Sequence, residues 1–179
     1  MMDAHTLAAQ EMEEHALAAR VGQAMFAGDT ASRDTMGMEL VACEPGRAVL
    51  RMAVRELHLN GHRICHGGFI FTLADSTFAF ACNSRNRVTV AAGCSIEFLK
   101  PAQLGDLLTC EGLEQTLHGR HGIYDMKVVN QRGEVVAMFR GKSAQIQGTV
   151  VENAGVVSLN SANAGTNANA RANNSGEGG

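Results

Sequence analysis

The sequence predicts an α+β fold in which one long helix is wrapped by an antiparallel β-sheet. Three observations support this fold class. Residues 69–83 follow a His-Gly-Gly tripeptide and are apolar on every helical face, which is typical of a helix buried on all sides. β-Branched residues accumulate in successive segments after position 87. The last two of these segments are joined by Arg132-Gly133-Glu134, a sequence typical of a β-hairpin turn.

The N-terminal part of the chain is predicted to be helical. Residues 6–25 are rich in Ala, Leu, Met, Glu and Gln, which are good helix formers. Gly28 interrupts this pattern. A short second helix, capped by Asp29 or Thr30, is then predicted to end near Gly37.

The sheet is predicted from five segments. The first, residues 48–54, follows the turn Pro45-Gly46 and alternates imperfectly between apolar and arginine side chains. The other four are residues 88–99, 106–114, 122–131 and 135–146. At least one strand therefore precedes the central helix and four follow it. A single helix wrapped by such a sheet is the hotdog arrangement.

Composition divides the chain into three parts. Residues 1–28 are assigned to an N-terminal helical segment and residues 29–150 to the hotdog domain. Of the 27 residues from 153 to 179, 22 are Asn, Ala, Gly, Ser or Thr. Because such a segment buries too little apolar surface to offset its conformational entropy, residues 151–179 are predicted to be a disordered tail.

Charge and cysteine content exclude several classes of protein. The net charge of −3 provides no basic field for binding nucleic acid. The five cysteines are an odd number without a Cys-x-x-Cys pair, which favours free thiols in a reducing compartment. Neither a secretory signal nor the roughly 20 apolar residues of a membrane span is present. A cytoplasmic protein with no nucleic-acid or membrane partner is predicted.

One acidic residue, Asp75, lies within the apolar central helix. It is too far from the helix start at Gly67 to be an N-cap, and its neighbours at helical spacing are mostly apolar. An ionised carboxylate in such surroundings is costly unless a function requires it. We therefore predict that Asp75 is the catalytic carboxylate. The alternative is a structural aspartate that bonds Thr72, Ser76 or a backbone group.

The tripeptide His66-Gly67-Gly68 opens the same helix. A helix N-terminus presents free N–H groups and the positive end of the helix dipole. Glycines also let a ligand approach the backbone closely. Together these features predict an oxyanion hole for a polarised carbonyl group, although the glycines could equally serve only a tight turn.

The spacing of Gly67 and Asp75 predicts a dimer. Eight residues of helix span about 12 Å, so one carbonyl group cannot touch both residues on a single helix. Two antiparallel copies of the helix would bring Gly67 of one chain near Asp75 of the other. If both residues serve one reaction, the site requires two subunits.

Other polar residues have more than one interpretation. His66 could be a general base, a hydrogen-bond donor or a turn residue. With His62 and Cys65 it resembles a metal cluster, but no second pair of ligands has suitable spacing, so no metal is predicted. Asn60 could form a simple turn, or its amide could hold the substrate carbonyl or Asp75.

A basic cluster at the strand ends could neutralise the phosphates of coenzyme A. Its members are Lys100, Arg140 and Lys142. Equally, these residues could be solvated edge charges that discourage sheet aggregation. The sequence contains no Gly-x-Ser-x-Gly elbow, Walker loop or dinucleotide fingerprint.

The segment LNGHRICHGGFIFTLADSTFAFACNS, residues 59–84, resembles the signature of the thioesterases of the phenylacetate degradation pathway, the PaaI family. The resemblance continues through AAGCSIEFLKPAQLGD and GIYDMKVVNQRGEVVAMFRGKS and covers roughly residues 20–150. One departure is visible. The family commonly has threonine after the aspartate, whereas this chain has Ser76, which retains the hydroxyl group.

The resemblance implies a hotdog fold, dimers joined edge to edge through their sheets, and tetramers formed from pairs of dimers. It implies hydrolysis of phenylacetyl-CoA and its hydroxylated relatives, with CoA as part of the substrate and no separate cofactor. The residue matching Asp75 is the catalytic acid, and that matching Gly67 provides the oxyanion N–H across the interface. Supporting or substrate-contacting roles are expected for His66, Asn60, Gly68, Ser76 and Ser95.

Three questions stay open at this point. Asp75 could activate water or attack the carbonyl directly. A hotdog hydratase or dehydratase could use His66 with Asp75. A non-catalytic acyl-CoA-binding module would hold CoA esters without hydrolysing them.

Overall fold

A computed structural model describes residues 3–152, so the predicted tail lies almost entirely outside the described residues. Two long helices and six strands make up this part of the chain. They are α1 (Ala4–Gly28), β1 (Met38–Glu44), β2 (Arg47–Ala53), α2 (Gly67–Asn83), β3 (Thr89–Phe98), β4 (Leu107–His118), β5 (His121–Val129) and β6 (Val135–Gln145). A short π-helix (Ala31–Thr35) and a single 3₁₀ turn (Glu56–His58) connect them.

The strands form one antiparallel sheet in the order β1-β2-β4-β5-β6-β3. Successive strands β4, β5 and β6 are neighbours, and the predicted β5–β6 hairpin is present. β3, however, pairs with β6 and not with β4, so it forms the far edge of the sheet. The predicted α+β hotdog fold, with a long helix against an antiparallel sheet, is confirmed.

α2 packs one face against the inner side of the sheet. Phe78 lies at the centre of this contact, with its ring 5.6 Å from that of Tyr124 and 6.0 Å from that of Phe139. The approach requires glycine on β6, because a Cβ at Gly141 would lie only 2.8 Å from the Phe78 ring. Burying such a side chain contributes about 2–3 kcal/mol, so this face holds the helix in place.

The opposite face of α2 is not covered within one protomer. Its residues follow helical spacing and are exposed or half-buried: Gly68, Thr72, Asp75, Ser76 and Ala79. The expectation of a helix buried on every side is therefore wrong for the single chain. Apolar residues point away from the sheet as well as towards it, and the sheet of one protomer covers only one side.

The segment before the central helix differs from the prediction. β1 was not predicted, because a bulge between Leu40 and Ala42 disturbs its alternation of buried and exposed residues. The predicted short helix is the π-helix turn. Asp29 caps it by accepting a hydrogen bond from the Ser32 N–H at 2.9 Å. The first helix is longer than predicted and packs on β1 at Gly22, where a Cβ would lie only 2.6 Å from the Cys43 Cβ.

The edge strand β3 is the most exposed strand of the sheet. Nearly all its side chains face solvent in the single chain, including Val90 and Phe98. Its outer backbone edge pairs with no other strand of residues 3–152. In that part of the chain, no helix combines the length and apolar character needed to cross a membrane.

Candidate active site

Asp75 projects from the uncovered face of α2 and is half-buried. Burial removes water from the carboxylate and raises the pKa of Asp75 above its ordinary value. Its carboxylate accepts no hydrogen bond from any group in residues 3–152. The predicted structural partners are engaged elsewhere, since Thr72 donates to the Gly68 carbonyl at 2.8 Å and the Ser76 hydroxyl contacts that of Ser32 at 2.9 Å. The carboxylate is therefore available for chemistry.

The N-terminus of α2 leaves one particular amide free. His66 is the N-cap, and its Nδ1 accepts a hydrogen bond from the Gly68 N–H at 2.9 Å. The Phe69 N–H donates to the His66 carbonyl at 3.0 Å. Within the described chain, the Gly67 N–H has no such acceptor. It sits at the positive end of the helix dipole, where a developing oxyanion would be stabilised.

This cap also limits the roles of His66. Because Nδ1 accepts a hydrogen bond, the proton of the neutral imidazole lies on Nε2. The ring is therefore held as part of the helix start, with its Nε2–H as the free group. Sequence reasoning left three roles for this residue, and the geometry favours a positioning and hydrogen-bonding role.

Phe98, which sequence reasoning missed, explains why position 67 is glycine. A Cβ at Gly67 would lie 3.1 Å from the Phe98 Cζ, tighter than ordinary van der Waals contact. The ring covers the backbone at the helix start while remaining 51% exposed itself. Only the strand order, which places the end of β3 beside this helix terminus, reveals the contact.

Asn60 holds the loop that leads into α2. Its Oδ1 accepts hydrogen bonds from the backbone N–H groups of His62 at 2.9 Å and Ile64 at 3.4 Å. This is the side-chain-to-backbone geometry of a turn. Within one protomer, the structure thus supports the turn interpretation of Asn60 and leaves its amide nitrogen free.

A second residue missed by sequence reasoning, His58, packs against the loop that leads into α2. His58 is fully buried, with its ring 4.7 Å from that of Phe69. Its Nδ1 accepts a hydrogen bond from the Arg55 N–H, and its carbonyl accepts one from the His66 N–H. Burial, with a smaller contribution from the nearby Arg55 charge, lowers the pKa of His58. The buried ring is neutral at physiological pH.

Ser76 belongs to a hydrogen-bond chain that joins α2 to the π-helix. The buried Ser32 hydroxyl donates to the Asp29 carboxylate at 2.6 Å, so it accepts from the Ser76 hydroxyl. This chain fixes the rotation of α2 one residue after Asp75. The structure gives Ser76 a partner within the protein, whereas the sequence predicted a contact with substrate.

Ser95 lies on the outer face of the sheet. It is the cross-strand partner of Arg140, and such partners share a face. Arg140 alternates with the inward-facing Phe139, so Ser95 faces away from α2. The structure does not bring Ser95 together with Gly67 or Asp75 inside one protomer.

The three predicted CoA-binding cations differ in availability. Arg140 forms two hydrogen bonds of 2.6 Å with the carboxylate of Asp125. Lys100 is paired with Glu134. Lys142 is exposed on the same outer face as Arg140, and no acidic group of residues 3–152 pairs with it.

The four buried cysteines do not offer a nucleophile at neutral pH. Burial raises the pKa of Cys43 and Cys65 to about 11 and those of Cys82 and Cys110 to about 12, so these four thiols remain protonated. Cys94 is exposed on β3. Among the described residues, no three His, Cys, Asp or Glu side chains come together as a metal site.

Gly67 and Asp75 lie on one uninterrupted helix. Eight residues separate them, which corresponds to about 12 Å along the axis. A thioester carbonyl held by the Gly67 N–H is therefore out of reach of Asp75 in the same protomer.

Comparison with known proteins adds independent evidence. Residues 62–137 match the family model of the thioesterase superfamily. The chain is 42% identical to the acyl-coenzyme A thioesterase PaaI of Escherichia coli, covering 71% of this chain and 90% of that protein. The solved structure of the Escherichia coli PaaI protein superposes with a TM-score of 0.73 at 41% identity, over 75% of this chain and 97% of that one. A Streptococcus mutans protein bound to acetyl CoA matches with a TM-score of 0.60 at 28% identity, over 63% of this chain and 90% of that one.

Proposed function

The chain belongs to the thioesterase superfamily and is an acyl-CoA thioesterase, and we propose that it hydrolyses phenylacetyl-CoA and its hydroxylated relatives to the free acid and CoA. The single observation that carries this proposal is the presence, on one helix, of an unpartnered Gly67 amide and an unpartnered Asp75 carboxylate. The similarity to the Escherichia coli thioesterase supports the substrate class. No separate cofactor is proposed, because CoA is part of the substrate.

The active unit is a homodimer, and two dimers form a tetramer. Two features of the protomer support dimerisation: the unpaired edge of β3 and the uncovered face of α2. An exposed edge strand is a template for pairing with another chain. Joining two β3 edges about a two-fold axis would set the helices antiparallel, with Gly67 of one protomer facing Asp75 of its partner.

The chemistry then follows from the two groups. The Gly67 N–H donates to the thioester carbonyl oxygen and stabilises the negative charge that develops there. Asp75 either takes a proton from water as the water oxygen attacks the carbonyl carbon, or attacks that carbon itself to form an anhydride that water then opens. In both routes the C–S bond breaks: in the first, Asp75 passes the proton from water to the leaving sulfur, and in the second CoA leaves as a thiolate that takes up the proton released when water opens the anhydride. The raised pKa of Asp75 makes it a stronger base than an exposed aspartate.

Supporting residues act on the position of these groups. His66 and Asn60 hold the loop and the helix start, and Gly68 and Ser76 fix the adjoining backbone and helix rotation. Lys142 is the best available partner for a CoA phosphate among the three predicted cations, because Arg140 and Lys100 are already ion-paired. The unpaired cysteines agree with a cytoplasmic location.

A panel of acyl-CoA esters with a thiol-reactive dye tests the proposal. Wild-type protein is expected to release thiol fastest from aryl-acetyl esters, and Asp75→Asn to lower turnover by about 10²–10⁴-fold. Asp34→Asn removes a similar but exposed carboxylate and serves as the matched control. Near wild-type turnover of Asp75→Asn would remove Asp75 from the mechanism.

The same panel separates the alternatives. A hydratase would change enoyl absorbance without releasing thiol. A binding module would bind the esters and leave both signals unchanged. Either result for the wild-type protein would overturn the proposed hydrolysis.

A further inference from the structure

A cavity of about 130 Å³ lies at the C-terminal end of α2, at the opposite end of that helix from Gly67. Its walls include three arginines, Arg85, Arg87 and Arg120, together with Tyr124 and Ser143. An ordered water needs only roughly 10–15 Å³, so the cavity has room for a group of phosphate size. The proposed hydrolysis does not use any of these residues.

The floor of the cavity carries an unpaired polar group. Ser143 is 1% exposed, and its Oγ has no hydrogen-bond partner in the described part of the chain. The cross-strand residue is Gly122, where a Cβ would lie 2.8 Å from the Ser143 Oγ and 2.6 Å from the Tyr124 ring. Glycine there keeps the space open. A buried hydroxyl without a partner is destabilising, which points to an acceptor supplied from outside the chain.

The charge around the cavity is positive. Arg85 is paired with Glu114, and the Tyr124 hydroxyl donates to the same carboxylate at 2.8 Å. Arg87 reaches only a side-chain amide oxygen at 3.5 Å. The guanidinium of Arg120 has no hydrogen bond to residues 3–152. Three cations therefore face one carboxylate, and two of them are available to an anion.

We propose that this cavity binds a phosphate group, held by Arg87 and Arg120 and by a hydrogen bond from the Ser143 hydroxyl. Guanidinium groups match phosphate oxygens in geometry and charge, and an apolar acyl group would leave these charges unpaired. The inference rests on the proposed function in one respect, since the phosphate is assigned to the CoA part of the substrate. Cys82, at the cavity wall, lies seven residues or about 10 Å along the helix from Asp75, away from the reacting carbonyl.

Calorimetric titration of the intact protein with CoA, 3′-dephospho-CoA and inorganic phosphate tests the site. Arg120→Ala and Ser143→Ala are each expected to weaken CoA binding roughly tenfold. Arg51→Ala, which removes an exposed arginine from β2, is the charge-matched control and leaves binding unchanged. Ser143→Ala is also expected to keep or raise the melting temperature, because it removes an unpaired buried hydroxyl. A purely structural serine would lower it.

Kinetics identify the source of the phosphate. If the site holds the CoA phosphates, Arg120→Ala raises KM for phenylacetyl-CoA about tenfold and leaves kcat/KM for the phosphate-free N-acetylcysteamine thioester unchanged. Loss of inorganic phosphate binding with unchanged kinetics on both thioesters supports the site and assigns it to a separate phosphate compound. Unchanged phosphate and CoA binding in both cavity variants would overturn the proposal. Failure of the proposed function would look different, with wild-type protein releasing thiol from neither thioester.

Discussion

The two faces of α2 differ in whether their residues find partners within the protomer. On the sheet-facing side, Phe78 and its neighbours are buried in a filled core and every contact is made within the protomer. On the opposite side, Asp75 is half-buried and has no partner in residues 3–152, and the Gly67 amide at the helix start is likewise without one. One helix therefore supplies stability from its sheet-facing side and reactive groups from its uncovered side and its N-terminus. Substitutions on the two faces should separate folding from turnover.

The largest effect on stability is expected from Phe78→Ala on the sheet-facing side. Removing the ring leaves a cavity between Tyr124 and Phe139 and should lower the free energy of unfolding by about 3–5 kcal/mol. Urea denaturation measures this loss, with Leu104→Ala as the control at an exposed site. A loss below about 1 kcal/mol would mean that this face does not hold the helix.

The next effect concerns activity and comes from Gly67→Val. The new side chain meets the Phe98 ring and displaces the amide, so kcat should fall by about 10²–10³-fold, the usual result of losing an oxyanion donor. Adding Phe98→Ala should restore part of the activity by removing the collision. Gly61→Ala, where a Cβ meets nothing within 4 Å, is the control. A double variant no faster than the single one would exclude the Phe98 contact as the cause.

Asp75→Asn should change stability and turnover in opposite directions. The pKa of Asp75 is raised by burial, so the folded state binds a proton more readily than the unfolded chain and the ionised form is penalised at neutral pH. The neutral isostere should raise the melting temperature at pH 7 while turnover falls. This gain should shrink as the pH decreases through the folded pKa, because wild-type Asp75 is then protonated too. A lower melting temperature at pH 7 would show that the carboxylate stabilises the fold.

Ser32→Ala should have a smaller effect on stability, because it breaks the hydrogen bonds between α2 and the π-helix without creating a large cavity in the core. Loss of the hydrogen bonds to Ser76 and Asp29 is expected to lower the free energy of unfolding by about 1–2 kcal/mol. A double-mutant cycle with Ser76→Ala measures the coupling. Additive losses in that cycle would mean that the two hydroxyls do not act together.

The smallest expected effect is a pH dependence that arises from His58. Its pKa is lowered in the folded state, whereas the unfolded value is about 6.5. The unfolded chain therefore binds the proton first, and stability should fall as the pH drops below about 6.5 until the folded pKa is reached. Denaturation between pH 7.5 and 5 measures the slope, which His58→Gln should reduce. An equal slope in that variant would assign the acid sensitivity to other groups.

How far the site could be predicted depends on whether its signal is local. Asp75 stands out because it is one acid among apolar residues, and His66-Gly67-Gly68 because glycines open a helix. His58 and Phe98 carry no such local signal, since a histidine or phenylalanine beside a turn is ordinary. β1 was missed because its bulge breaks the period of two on which strand prediction depends.

The sequence by itself determined the central helix, its single acid, its glycine-rich start and the β5–β6 hairpin. Each of these depends on residues that are close along the chain, through helical period, capping or turn chemistry. Only the tertiary structure decided that β3 crosses to the far edge beside β6, with Phe98 over Gly67 and Ser95 on the outer face. Strand order and register are set by contacts between residues far apart in sequence. The composition of each strand alone does not encode which neighbour it will pair with.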